Sequence, residues 1–506
     1  MRAAIRKNIS RRAVSRAASI PAPHGGWNTR DSVSDMPETD AIVLENWIPK
    51  ADKVTLRSGY EEHVTGTGEV ETLMTWDGPT SNKMFGCAGG NIYDVTSAGA
   101  VGAAVVTGLA NNRFQHVNFS IASGDYLIAV NGADTVRAYN GTTWSEPAIT
   151  GVTYLSQVNA HKKRLFFVEK DSLSFWYLGI EAIAGAATEF NLGSLCTMGG
   201  YLMAMATWSI DGGSGLDDMA VFITSQGETI IYQGDNPGDV NAWSLVGVFR
   251  LGRPIGRRCF VKLGSDLIVL TEDGFVPLSA SLISDRSKPI AISDKISPTV
   301  NSAFQNYGTL FGWQAVHFPK QGLLLFNIPS TGASVQYVMN IVNGSWCKFT
   351  GMDAHCWAVL GGELYFGGDT AVYAALTGTS DNGANIPAFI KPAFSYFRSR
   401  GRLKAFLMVR PVIEVTGTLT ATLEVNVDYE DRLPTDTPTF SDTGVAPWNT
   451  SPWNTTPWSR GAQIKKDWQS VNGVGYCATC NMKTLASPEL LAIHSFDYIF
   501  EDGEYV

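Results

Sequence analysis

Between Lys83 and Leu376 the chain repeats one pattern about seven times: a short apolar run, a turn rich in Gly, Asn or Asp, and a second apolar run that returns. The copies read KMFGCAGGNIYDVT, YLIAVNGADTVRAYN, RLFFVEKDSLSFWYL, AVFITSQGETIIYQG, DLIVLTEDGFVPLSA, LLLFNIPSTGASVQYVMN and ELYFGGDTAVYAAL. Their turns lie roughly 37 to 58 residues apart, around the spacing of β-propeller blades. A blade cannot bury both faces alone and leaves strand edges open, so the repeats predict a closed disc. After Asp381 the repeat stops. Long alternating segments such as FLMVRPVIEV and LTATLEVNVDYED then predict a β-sandwich-like domain. The expected fold is mainly β: a basic N-terminal arm over 1–24, a propeller over 25–380 and a C-terminal β-sandwich-like platform over 381–506.

Three local departures qualify that frame. Thr39–Trp47 carries a short helical signal with Thr39 as cap, whereas VTLRSGY alternates as a strand does. Residues 196–218 read as a long insertion between repeats. DKISPTVNSAFQNYG reads as a short helix with Asp294 near its start.

Fifty-one glycines among 506 residues fit a fold of many tight turns, and 44% hydrophobic with 17% charged residues describes a packed protein. The net charge of −9 excludes a general nucleic-acid binder. Seven scattered cysteines do not form a secreted disulfide framework and read as reduced, mostly buried residues. No apolar run is long enough to span a bilayer, and the N-terminus lacks a secretory signal. The arm holds Arg2, Arg6, Lys7, Arg11, Arg12 and Arg16 with no acid before Asp31. It reads as a flexible tail or as a segment that orders on an acidic partner.

Signals for catalysis are weak. The chain has no phosphate-cradling GxxxxGK[ST] loop, no HExxH and no GxSxG. The seven histidines are isolated from one another in sequence and read as structural. Cys477 and Cys480 form a lone CxxC without a second ligand pair, so the structural reading wins there too. The glycine-rich acidic loop with Asp211, Asp217 and Asp218 does not match an EF-hand and reads as a solvated loop. Catalytic residues, metal and cofactors are therefore expected to be none.

The candidate contacts are basic and aromatic. Arg398, Arg400, Arg402 and Lys404 alternate, which on a strand places four like charges on one face unless anions meet them. Arg250, Arg253, Arg257 and Arg258 form a second cluster. Both read as solvated faces or inter-subunit contacts, with DNA phosphate a minor option. Trp448, Trp453 and Trp458, each preceded by proline, load a turn-rich segment with apolar surface, to be packed within its own domain or against a partner.

Longer strings carry more. GGWNTRDSVSDMPETDAIVLENWIPKADKVTLRSGY, VETLMTW, KMFGCAGGNIYDVT, NGADTVRAYNGTTW, HKKRLFFVEKDSLSFWYL, GYLMAMATWSIDGGSGLDDMAVFITSQGE, GRPIGRRCF, GSWCKFTGM, SRGRLKAFLMVRP and WQSVNGVGY resemble a family of phage and prophage structural proteins. The resemblance spans nearly all the chain beyond the arm, and the family looks like the tail nozzle or tail-tube proteins of short-tailed phages. It implies a β-propeller protein in a homo-oligomeric ring, expected as a hexamer, below the portal and its adaptor ring. Such a ring closes and gates the DNA exit channel during genome ejection. It implies virion localisation, tail fibre or spike neighbours, double-stranded DNA passing without sequence-specific binding, no membrane span and no catalytic residues. The alternatives are a propeller glycan hydrolase, which needs paired carboxylates at a propeller mouth, and a receptor-binding adhesin of the tail.

Overall fold

The computed structural model describes residues 15–211, 216–283, 291–416, 419–438 and 462–505. The chain forms two compact units. Ser58–Ala384 is one, and the segments before and after it, to Arg57 and from Asn385, together make the other.

The first unit is a β-propeller. Among the described residues it has seven blades, each a small antiparallel sheet. Blade 1 pairs Val70–Asp77, Asn82–Ala88 and Asn91–Asp94. Blade 2 pairs Gln115–Ile121, Gly124–Val130, Arg137–Tyr139 and Trp144–Ser145. Blade 3 pairs Leu155–His161, Arg164–Glu169, Ser174–Tyr177 and Thr188–Asn191. Blade 4 pairs Leu202–Asp211, Leu216–Thr224, Glu228–Gly234 and Trp243–Arg250. Blade 5 pairs Phe260–Leu263, Asp266–Thr271 and Gly274–Pro277. Blade 6 pairs Gln314–Phe318, Leu323–Ile328, Val335–Asn340 and Ser345–Phe349. Blade 7 pairs Cys356–Leu360, Glu363–Gly367 and Ala371–Ala375, and its outer strand is Tyr60–Thr65, from the start of the unit. The first strands of successive blades touch in order, save that the first strand of blade 4 meets the second strand of blade 5, and the first strand of blade 7 touches that of blade 1, which closes the circle.

Each repeat read from the sequence is the hairpin of the second and third strands of one blade. The turns follow local chemistry: Gly89 and Gly90 join two strands of blade 1 with φ of +57° and +76°, the pair of left-handed residues that a tight hairpin requires. The middle strands are apolar on both sides because both faces are covered. In blade 3 Phe166 packs toward Met205, Phe222 and Ile230 of blade 4, while its neighbour Phe167 packs toward Ile128, Val130 and Ala138 of blade 2. The same division recurs between blades 1 and 2, where Trp76 and Phe85 meet Leu127 and Tyr139. It recurs between blades 7 and 1, where Val64, Ala358 and Val372 meet Val70, Leu73 and Met84. Blades 5 and 6 join through Phe275 and Phe326, stacked with centroids 3.8 Å apart.

The second unit interleaves segments from both ends of the chain in two sheets. In one, Arg402–Val415 pairs with Leu491–Tyr505 on one side and with Gln463–Lys465 and Gln469–Gly475 on the other. Leu491–Tyr505 in turn takes Ser15–Pro21 and Val54–Leu56. In the other sheet Asp40–Glu45, Ile386–Pro392, Ala478–Ala486 and Ala421–Val427 lie side by side. Tyr498 of the first sheet is buried and bonds the Cys480 backbone of the second, so the sheets face each other as a β-sandwich does.

Several expectations change. The propeller begins near Ser58 rather than at residue 25, because Asp40–Glu45 and Val54–Leu56 pair with strands of the sandwich. Thr39–Trp47 is not helical: Asp40–Glu45 and Trp47–Pro49 are strands, their buried Ala41, Leu44, Trp47 and Ile48 supplying its core. The supposed insertion at 196–218 holds the first strand of blade 4, Leu202–Asp211, and the start of the second, Leu216–Thr224. The helix does form, as Ser297–Tyr307 after a single 3₁₀ turn at Asp294–Ile296. The described part of the basic arm, Ser15–Pro21, is a strand along Leu491–Tyr505, with Arg16 held 3.0 Å from Asp502. Residues 1–14 lie outside the described residues.

Phe222 is fully buried and its ring lies 4.5 Å from that of Phe175 across the blade 3–blade 4 seam. Phe222→Ala is expected to cost about 3–5 kcal/mol of propeller stability. Urea denaturation followed by tryptophan fluorescence checks this; a cost below about 1 kcal/mol would mean the seams are not where stability resides.

Candidate functional site

The first strands of the blades diverge around the axis, too far apart to share a backbone ladder. Side-chain amides replace it. The Gln157 amide donates to the Met205 carbonyl at 2.8 Å and accepts from the Met205 N–H at 2.7 Å, linking blades 3 and 4. Gln314 does the same with Trp357, linking blades 6 and 7, at 2.8 and 3.0 Å. A primary amide carries one acceptor and a donor side by side, so it copies a peptide group.

Arg258 performs the longest such bridge. It follows blade 4 in the turn RPIGRR and sends its guanidinium across the axis. Nη2 donates to Thr72 Oγ1 at 2.7 Å and to the Glu71 and Phe114 carbonyls at 3.3 Å, reaching blades 1 and 2. Nη1 donates to Gln314 Oε1 of blade 6 at 3.3 Å. The guanidinium also lies 4.9 Å from the Phe311 ring, which Arg113 approaches at 4.5 Å. Burial lowers the Arg258 pKa, which marks a cation held by neutral acceptors rather than by a carboxylate.

Two cavities share Arg257 and Arg258. The smaller, about 260 Å³, lies on the axis between Thr72, His116, Gln157, Asn159 and Gln314. The larger, about 810 Å³, opens at the mouth under the C-terminal end of the helix Ser297–Tyr307 and the loop that follows it. Its lining carries Arg113, Lys170, Arg253, Arg257 and Arg258 and no aspartate or glutamate. Carboxylates behind the wall offset two of the five: Glu71 Oε1 lies 2.8 Å from Arg113, and Glu272 Oε2 lies 3.7 Å from Arg253.

The second basic cluster of the sequence therefore separates. Arg250 donates to Thr197 on the blade surface, Arg253 is exposed at the rim, Arg257 lines both cavities and Arg258 spans the axis. The first cluster does not form one charged strand face. Arg398 sits in a turn with φ of +61°, before the strand that begins at Arg402. Arg400 pairs with Asp35 at 3.0 Å and covers the Tyr396 ring, and Arg402 lies 3.6 Å from Asp502. Lys404 is fully buried and its ammonium donates to the Ser399, Arg402 and Tyr476 carbonyls at 2.6, 3.0 and 2.8 Å. Alternation in FRSRGRLKAF mimics a strand only because a turn interrupts it. Trp448, Trp453 and Trp458 lie outside the described residues.

The remaining chemistry is structural. Cys477 and Cys480 are buried thiols, one just before and one within the strand Ala478–Ala486 of the sandwich, and burial raises the pKa of each. His161 is buried, its ring bonded to Thr207 Oγ1 at 3.3 Å and the Gly234 carbonyl at 3.0 Å. Asp218 accepts from Ser209 at 2.6 Å. Sequence reasoning missed the axial amides, although a glutamine inside an apolar first strand, as in LSQVNAH, is the signal for them.

No family model matches the chain, and no curated protein does. Among solved structures, the likenesses are distant. BBS1N in a crystal structure of its complex with ARL6DN, soaked with mercury, is 11% identical with a TM-score of 0.41, covering 64% of this chain and 99% of that one. Sqt1 of Saccharomyces cerevisiae is 10% identical with a TM-score of 0.38, covering 63% and 98%. The propeller assignment rests on the strand pairing and ring closure described above.

Two outcomes test the axial site. Arg258→Ala removes a charged donor from Thr72 and two backbone carbonyls, and is expected to cost about 3 kcal/mol, the scale of losing charge-assisted bonds with their acceptors left unpaired. Chemical denaturation of the variant against the parent measures it. His116 lines the axial cavity, and burial, aided by the Arg258 charge, pushes its pKa from 6.5 to about 4. The unfolded histidine binds its proton near 6.5 and the folded one only near 4. Stability should therefore fall as pH drops through 6.5, and the loss should level off near 4. A melting series from pH 7 to pH 4 should be flatter for His116→Gln than for the parent; parallel curves would remove His116 from the acid response.

Proposed function

We propose that this chain is a structural subunit of a short-tailed phage virion, a tail nozzle or tail-tube ring that closes and gates the DNA exit channel. The observation that carries this is the set of long family-like strings distributed over both units. GGWNTRDSVSDMPETDAIVLENW and SRGRLKAFLMVRP belong to the sandwich, and KMFGCAGGNIYDVT, HKKRLFFVEKDSLSFWYL and GSWCKFTGM belong to blades 1, 3 and 6. A likeness spread over nearly all the chain beyond the basic arm concerns the whole architecture rather than a shared propeller alone.

The mechanism is mechanical. Copies of the chain, six in the leading reading, assemble beneath an adaptor ring, and loops facing the lumen hold a constriction until the particle engages its host. The net charge of −9 supports a surface that duplex phosphates slide past rather than bind. Fibre or spike proteins of the same tail are the other neighbours. Of the candidate contacts, Arg398 is exposed in its turn and its side chain has no hydrogen-bond or ion-pair partner among the described residues, which leaves it available to a neighbouring subunit.

Imaging of the virion tail, with mass measurement of the assembled particle, tests the reading. Several copies on the tail axis, with six expected, support it. A single copy, or a position on peripheral fibres, would sink it in favour of an adhesin. Glycan cleavage by the purified chain, abolished by one carboxylate substitution, would establish the hydrolase instead.

A further inference from the structure

The basic mouth of the propeller is a cavity without an assigned occupant. A volume of about 810 Å³ falls within the range of small-molecule sites. Five cationic side chains line it and no carboxylate does, in a chain whose net charge is negative. Concentrating like charge in a concave, low-dielectric wall is unfavourable unless something of opposite sign enters. Arg113 and Arg253 have their own carboxylates behind the wall, and Arg258 is spent on neutral acceptors of blades 1, 2 and 6.

Arg257 differs from these three. It lies mostly inside, burial lowers its pKa, and no acceptor reaches its guanidinium within hydrogen-bonding or ion-pairing distance among the described residues. Asp171 and Tyr201 act on its charge from farther away. Lys170 and the Tyr201 hydroxyl line the same wall and likewise carry no side-chain partner there. The unpaired guanidinium, ammonium and phenol make a donor set with no protein acceptor. Gly132 tightens the fit: its φ is +75°, and a Cβ there would stand 3.1 Å from Arg257 Nη1, so a side chain would crowd the guanidinium.

From this arrangement we propose that the mouth cavity is a binding site for a small phosphate-class oxyanion, held by Arg257 with Lys170 and Tyr201. A guanidinium presents two parallel N–H donors that match two phosphate oxygens, and a lysine adds a point charge. The Phe311 ring is covered by Arg113 and Arg258, so it offers no stacking platform for a base. The recognised chemistry is therefore the phosphate itself, free or at the end of a small organic phosphate. The cavity is walled by loops and a helix end, which favours a compact anion over the backbone of a duplex.

Isothermal titration calorimetry of the full chain with inorganic phosphate, pyrophosphate and glycerol phosphate tests the site. Saturable one-to-one binding of at least one is expected. Arg257→Gln and Lys170→Gln should each weaken it tenfold or more, and Arg257→Lys should recover part of the loss. Comparing the three anions distinguishes free phosphate from a phosphate ester as the natural form. Lys170 is exposed and bonded to no side chain among the described residues, so its substitution is expected to leave the fold intact, which a melting curve verifies. Absence of saturable binding overturns the proposal. So does binding that both Gln variants retain, and so does binding of a poly-glutamate peptide in place of every phosphate, which would assign the mouth to a protein partner.

Discussion

Ring closure governs the rest of this structure. Tyr60–Thr65 leaves the beginning of the propeller and completes blade 7 beside Ala371–Ala375. Without it that blade would present an open strand edge, and the seam of Val64 and Val372 against Val70 would be lost. Closure also brings the two ends of the unit together. The Gly59 N–H bonds the Gly378 carbonyl, and the Tyr60 N–H bonds the Ser380 carbonyl at 3.1 Å. The approach is so tight that a Cβ at Gly59 would stand 1.9 Å from the Ser380 oxygen. Because entry and exit lie side by side, the chain can interrupt a second domain, insert a whole propeller and resume. The sandwich accordingly takes strands from both before and after it, Val54–Leu56 and Leu491–Tyr505 among them.

That insertion explains which parts of the fold were legible. A blade hairpin is a local object: apolar run, turn, apolar run, all within about 20 residues, and RLFFVEKDSLSFWYL announces it directly. The sandwich is not local. Asp40–Glu45 earns its strand conformation from Ile386–Pro392, hundreds of positions away. Read alone, TDAIVLENW offers apolar residues at helical as well as strand spacing, and a good capping threonine tips it toward helix. The tertiary partner decides, and the sequence window does not contain it. The first strand of blade 4 was hidden for a related reason. Asp217 and Asp218, which look like loop residues in the text, belong to the strand Leu216–Thr224 that pairs with Leu202–Asp211.

Charge was the least legible feature, since a cation's role depends on what lies across from it. FRSRGRLKAF and GRPIGRRCF are equally basic as text. In the first, the chain itself supplies an answer to Arg400 and Arg402 through Asp35 and Asp502, and three carbonyls enclose Lys404. In the second, adjacent arginines have opposite fates. Arg258 is threaded through the axis as a cross-brace, whereas Arg257 remains unanswered in the mouth wall. The two lie in one turn, but only the Arg258 guanidinium reaches acceptors of blades 1, 2 and 6, whereas Arg257 lines both cavities.

The axial cross-brace also constrains any account in which DNA passes this protein. The space along the propeller axis is about 260 Å³, bounded by Arg258, His116 and the amides of Gln157 and Gln314. A duplex, whose major groove alone is about 12 Å wide, cannot enter it. Widening the axis would break the bonds from Arg258 to blades 1, 2 and 6 and strand their acceptors without partners. On the function proposed above, a channel for DNA would therefore lie between copies of the chain, not through one. Its walls would be outer blade edges or loops, in a chain whose net charge is −9. On that same proposal the closed circle of blades would stay fixed, and gating would be a matter of loops displaced from the lumen.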